Sequence, residues 1–273
     1  MNPRPSALIR GKLKCDIWIV QIRDSKFEIS MRVSLFITCL VDQLYPDVGE
    51  AMVTTLRRLG VEVGFNQAQT CCGQVAFNTG YRPEARSMAE HYIEVFENER
   101  ADFIVAPSGS CTAMVRNFYH ELFPGAEDAG WRERFSRIRP RLREFSEFIV
   151  KELGVDDVGA RFSAKVTYHD ACHLLRELGI AEAPRRLIRG VRDVEYVELE
   201  APDTCCGFGG TFSVKYAEIS NAILEEKLTR IANSGAEYVV ANDSSCLMQI
   251  AGGLSRAGSP VKTMHLAELL AKQ

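Results

Sequence analysis

The residues best suited to chemistry in this chain are its cysteines. Nine are present, and eight of them fall into two sets of one pattern. Cys39 is followed after 31 residues by the adjacent pair Cys71-Cys72, and after 38 more by Cys111. Cys172 is followed after 32 residues by Cys205-Cys206, and after 39 more by Cys246. Corresponding cysteines are offset by 133, 134, 134 and 135 positions, and each pair runs into a glycine, Gly73 or Gly207. That agreement marks a duplicated unit; Cys15 alone has no counterpart. Four converging thiolates suit an iron–sulfur cluster or a tetrahedral zinc ion. Structural zinc sites favour short ligand loops of about two to four residues between cysteines. Here each set draws on three separated segments, which favours a cluster over zinc.

The elements around the cysteines repeat as well. Short apolar runs at residues 33–37, 61–65 and 103–106 read as buried strands, as do 166–168, 194–199, 238–241 and 261–264. Helical patterns separate them. Pro46 opens one with Val48, Met52, Leu56 and Leu59 on a single face. Pro83 opens another with Ala85, Ala89, Tyr92 and Phe96, and a long helix spans residues 217–232. Segments 145–153 (FSEFIVKEL) and 265–272 (HLAELLAK) close the two halves alike. Alternating strand and helix predicts an α/β fold: two duplicated Rossmann-like halves, each with a mainly parallel sheet. Every cysteine site then follows a strand and precedes a helix. In such a sheet all these turns lie at the C-terminal ends of the strands, where ligands bind. The thiols of each half are therefore expected to meet there, near helix N-termini that favour thiolate. Neighbouring residues in a strand face opposite ways, so each pair needs a sharp turn, which Gly73 and Gly207 permit.

The bulk properties exclude several classes. A hydrophobic content of 46% with 25% charged residues describes a globular chain, and a net charge of −3 offers no basic surface for nucleic acid. No apolar run approaches the roughly 18 residues of a membrane span. Residues 1–30 lack the continuous apolar stretch of a signal peptide and read as an N-terminal extension. The expected domains are residues 31–160 and 161–273, with the polar segment 154–161 as boundary. Without a secretion signal the expected location is cytoplasmic, where thiols stay reduced and a disulfide framework is disfavoured.

Other residues could contribute. His169, just before Cys172, suits a proton donor, a ligand or a group supporting one; an ordinary hydrogen-bonded histidine is the plainer alternative. His173 and Arg176 could balance the charge of an anionic centre. The glycines of Gly207-Phe208-Gly209-Gly210 could form an anion-binding nest, or only let the chain bend close to a cluster.

These motifs carry a resemblance. A cysteine, a gap of some thirty residues, Cys-Cys-Gly and a later cysteine resemble the cysteine-rich CCG domain. That domain occurs twice in the cysteine-rich component of heterodisulfide reductases and in the iron–sulfur components of glycolate oxidases. The likeness spans Met31 to the C-terminus. Segments 36–49 (FITCLVDQLYPDVG), 70–80 (TCCGQVAFNTG), 106–111 (APSGSC), 168–175 (YHDACHLL) and 204–215 (TCCGFGGTFSVK) are similar to the lactate utilization branch of that family. The resemblance implies an iron–sulfur oxidoreductase component in a complex that oxidises L-lactate, a small 2-hydroxy acid, to pyruvate. Its implied partners are lactate utilization proteins B and C.

The fuller family motif ends in Cys-x-x-Cys, whereas Ser108 and Asp243 replace the first of those cysteines here. This departure favours an ordinary four-cysteine 4Fe–4S cluster, up to one per half, and makes the Asp243 carboxylate a further candidate ligand. No Gly-x-Gly-x-x-Gly fingerprint is present, so hydride removal falls to the companion proteins or to the second site. Two other readings stand beside this one: a zinc-stabilised interaction module, and a metal-free thiol redox enzyme using Cys71-Cys72 or Cys205-Cys206.

Overall fold

A computed structural model describes residues 31–273; the expected extension over residues 1–30, with Cys15, lies outside the described residues. The alternation read from the sequence gives two four-stranded sheets. In the first, β1 (Arg32–Leu35), β2 (Glu62–Phe65), β3 (Phe103–Ala106) and β4 (Leu142–Glu144) take the order β2-β1-β3-β4. In the second, β5 (Arg161–Tyr168), β6 (Arg192–Tyr196), β7 (Tyr238–Ala241) and β8 (Lys262–His265) take the order β6-β5-β7-β8. All pairings are parallel. The fold is therefore the expected duplicated α/β one, with β3 and β7 starting and ending as read from the sequence.

One strand was not foreseen. β4, with the sequence LRE, carries a single apolar residue and no periodic signal. It is a strand because β3 offers it an edge, pairing Ile104 with Leu142 and Ala106 with Glu144. Beyond β3, helix Gly109–Ala113 loosens into a π turn over Met114–Phe118 and a 3-10 turn over Tyr119–Leu122.

The halves share an apolar core. Helix Pro46–Arg58 begins with proline and buries Val48, Met52 and Leu56. These residues belong to the same buried cluster as Val166, Leu187, Val240, Leu266 and Leu270 of the second half. A second cluster around Phe36, Tyr92, Phe96, Tyr119 and Phe135 fills the other face of the first half. Burial of this kind contributes about 25 cal/mol per Å² of apolar surface. Arg58 adds a polar clasp across the seam, donating to the carbonyls of Val158 (3.2 Å), Leu270 (3.0 Å) and Ala271 (2.9 Å).

Buried polar groups complete the seam. Asn242 Nδ2 donates to Glu144 Oε1 at 2.7 Å, and Tyr168 OH donates to Asn242 Oδ1 at 3.0 Å. His265 Nε2 lies 3.0 Å from the carbonyls of both Pro107 and Asn242. The other Glu144 oxygen accepts from Ser146 Oγ and from the amides of Ser146 (2.8 Å) and Glu147 (3.1 Å), capping the turn that follows. Burial pushes the Glu144 carboxyl up to about 7, against the hydrogen bonds from Ser146 and Asn242 that pull it down. A carboxyl whose folded value lies above its unfolded one binds its proton more tightly when folded. It therefore adds stability at acid pH and loses that contribution as pH rises through the folded value. Glu144→Gln is expected to flatten the fall in stability between about pH 4.5 and pH 7; urea denaturation of both proteins across that range measures it.

Candidate metal centre

All eight described cysteines are free thiols, and all eight line one cavity of about 340 Å³. The sheet geometry gathers them as the strand ends require. Cys39 starts helix Cys39–Leu44 beyond β1, and Cys111 lies in helix Gly109–Ala113 beyond β3. Cys172 follows β5 and precedes the π turn His173–Glu177. Cys246 lies in the first turn of helix Ser244–Arg256 beyond β7. The pairs enter from the loops after β2 and β6. In both pairs the first thiol is half-buried and the second buried.

Both pairs make the turn their glycines permit: φ is +82° at Gly73 and +83° at Gly207. Each turn aims a backbone amide at the preceding sulfur. Gly73 N donates to Cys71 Sγ at 3.4 Å, and Gly207 N to Cys205 Sγ at 3.3 Å.

Side chains that carry no sequence signal fix the loops. Gln69 Oε1 accepts from Ile37 N at 2.6 Å while its Nε2 donates to Leu35 O at 2.9 Å, tying the Cys71 loop to the end of β1. Tyr119 OH donates to Cys72 O at 3.0 Å, and Gln74 Nε2 to Ser110 O at 3.0 Å. In the second half Lys227, fully buried, donates to Pro202 O at 3.0 Å and holds the approach to Cys205. Burial lowers its ammonium to about 8. Arg185 pairs with Asp170 at 2.7 Å and Glu198 at 2.6 Å, anchoring the segment that leads into Cys172.

Within each half the thiols share protons unevenly. Cys71 falls to about 3, first through the hydrogen bond from Cys39 and then through that from Cys72. Cys205 falls to about 2, first through Cys172 and then through Cys206. The donors shift the other way: Cys39 and Cys172 are raised, first by those same bonds and then by burial. Cys72 is raised by its hydrogen bond to Cys111, and Cys206 by its bond to Cys205. Each half thus presents one favoured thiolate ringed by thiols. This is a soft donor set that a cationic metal group would deprotonate further, since metal binding releases ligand protons.

The remaining sequence candidates divide. His169 is 1% exposed, and its ring lies beside the Pro202 carbonyl without a well-formed hydrogen bond on either nitrogen. A ring nitrogen lies within 4.8 Å of the sulfurs of Cys206 and Cys246, which are themselves within that distance of each other. Burial first, and the Lys227 charge second, lower the imidazole to about 3, so it presents a neutral lone pair. His173 lines the cavity with Nδ1 3.4 Å from Cys172 Sγ. Arg176 turns outward to Asp203 at 3.9 Å, with its side chain 61% exposed.

Asp243 is buried and turned toward the first half. It accepts from Ser108 Oγ at 2.5 Å, Ser110 Oγ at 2.8 Å and Ser110 N at 3.2 Å. The residues at the two vacated motif positions therefore bond to each other. Sequence reasoning missed this contact and the merging of both cysteine sets into one cavity, because neither has a local signal.

Two parallel sheets that each deliver four thiols from their strand ends define a duplicated cysteine-rich domain. The chain belongs to the cysteine-rich domain (CCG) family, whose pattern matches residues 33–116 and 166–251. It is 49% identical over 238 residues to Lactate utilization protein A of an Exiguobacterium species, covering 87% of this chain and 96% of that protein. It is 46% identical over 243 residues to Lactate utilization protein A of Halalkalibacterium halodurans, covering 89% and 98%. Among solved structures, a hypothetical protein from Helicobacter pylori aligns with a TM-score of 0.58 at 8% identity, over 88% of this chain and 48% of that one. That likeness shows the fold alone.

The tight turn gives a stability prediction. A Cβ on Gly207 would lie 2.5 Å from Ser220 O, whereas one on Gly73 would meet Ala85 O at 3.3 Å. Both substitutions carry the left-handed strain of about 1–2 kcal/mol. Gly207→Ala adds a backbone clash, so it is expected to lower the thermal midpoint further than Gly73→Ala in parallel melts.

Proposed function

We propose that the chain is an iron–sulfur electron-transfer component of a complex that oxidises L-lactate to pyruvate. Cys39, Cys71, Cys72 and Cys111 hold one cluster, and Cys172, Cys205, Cys206 and Cys246 hold another, each of the 4Fe–4S type. The observation that carries this reading is the convergence of eight thiols from both halves on one cavity. The relatives' names support the lactate assignment.

Bound clusters supply one-electron steps; oxidising one lactate releases two electrons and two protons. The chain's own residues hold and tune the centres. The Gly73 and Gly207 amides donate to Cys71 and Cys205, and such N–H···S bonds shift a cluster's potential. Val75, Phe208 and Val214 line the cavity and give it an apolar rim. Lactate utilization proteins B and C are the proposed partners, and the cytoplasm, where thiols stay reduced, is the proposed location. Among the described residues no helix is long and apolar enough to cross a membrane.

A zinc centre is the second reading, favoured by the proximity of His169, Cys206 and Cys246, since a His–Cys set also suits zinc. Anaerobic purification with iron, sulfide and zinc analysis separates the two: a brown, iron- and sulfide-containing protein is expected, and a colourless zinc protein would select the alternative. Cys205→Ser is expected to lower bound iron by roughly half, the share of one of two centres, and to block growth on L-lactate. Wild-type iron content and growth in that variant would remove the second-half assignment.

A further inference from the structure

The two halves are equivalent in backbone but not in what stands behind their sulfurs. Phe36 N donates to Val105 O at 2.9 Å, and His169 N donates to Val240 O at 2.9 Å. Each residue lies three positions before the first cysteine of its set. Phe36 and His169 therefore occupy the same place in the two sheets. In the first half this place is hydrocarbon: the Phe36 ring packs edge-on against Tyr92, with centroids 5.0 Å apart, and against Phe96 at 5.7 Å.

In the second half it holds an imidazole that is 1% exposed, with the Pro202 carbonyl beside it but no well-formed hydrogen bond on either nitrogen. Polar groups buried in this way are rarely left unsatisfied. One ring nitrogen and the sulfurs of Cys206 and Cys246 lie within 4.8 Å of one another. Donors at that spacing lie within reach of one metal centre. The other candidate for an extra donor, Asp243, has its carboxylate engaged by Ser108 and Ser110.

We infer that His169 is a nitrogen ligand of the second-half centre, bound with three of that half's four cysteines while the fourth stays off the iron, so that the two cysteine sets hold chemically unlike centres: thiolate alone in the first half, thiolate with imidazole in the second. The inference rests on the cluster reading above and deepens it. Histidine ligation raises the potential of an iron–sulfur centre relative to thiolate ligation. The second-half centre is then the stronger electron acceptor, and electrons that enter at the first-half centre run toward it.

The test uses the full chain, purified anaerobically, loaded with iron and sulfide, and reduced for pulsed electron paramagnetic resonance. A directly bound nitrogen is expected in the wild type. Growth on histidine labelled with heavy nitrogen should convert its signal to the heavy-isotope pattern, a readout that needs no folded variant. His169→Ala should abolish the coupling, and His173→Ala, which removes the other imidazole beside these sulfurs, should retain it. An iron-loaded wild type without bound nitrogen, or a coupling that survives His169→Ala or disappears in His173→Ala, overturns the ligand assignment while leaving the clusters standing. A wild type that takes up no iron and sulfide overturns the cluster reading, and the ligand assignment with it.

Discussion

Crowding sulfur atoms into a buried pocket is electrostatically unfavourable, and the rest of the structure is arranged around that constraint. Thiolates a few ångströms apart repel, and burial strips away the water that would screen them. Each half answers by localising one negative charge, on Cys71 or Cys205, and surrounding it with donors: two neighbouring thiols and a glycine amide. The remaining thiols that shift keep their protons. A metal group removes the conflict by supplying the missing positive charge, so the same geometry that strains a set of thiols suits a set of ligands.

Duplication would leave two independent sites if nothing joined the halves. Here the junction is built from the positions where the family motif has another cysteine. Ser108 and Asp243, both buried, hydrogen-bond across the seam. Asp243 occupies the N-cap position of helix Ser244–Arg256, yet its side chain does not cap that helix. Its carboxylate instead accepts from Ser110 N, at the start of the short helix that carries Cys111 in the other half. Two potential ligand positions have thus become a lock that sets one cysteine-bearing turn against the other. With the Glu144–Asn242 contact and the shared apolar core, it explains why both sets open on a single cavity.

The halves differ in their buried polar content. The first is backed by an aromatic cluster around Phe36, Tyr92 and Tyr119. The second is backed by His169, Lys227 and the Asp170–Arg185 pair, all buried. Centres placed in these two surroundings experience different local fields and different solvation, the levers by which a protein separates two potentials.

The cysteine spacing, its offset repeat and the glycine after each pair are linear facts, and by themselves they determined the duplication and the candidate ligand set. The alternation of strand and helix then determined that the thiols share a sheet edge, because parallel connections put every such turn on one side. β4 was not legible, since LRE carries no periodicity and becomes a strand only beside β3. The same holds for Gln69 and Gln74, ordinary polar residues until the loops they brace are in place. Only the tertiary structure decided that Asp243 bonds to Ser108 in the other half, that His169 sits beside Cys206 and Cys246, and that the two sets form one cavity. The physical reason is common to all three: each depends on contacts between segments far apart along the chain, and such contacts are set by packing, which leaves no local trace in the sequence.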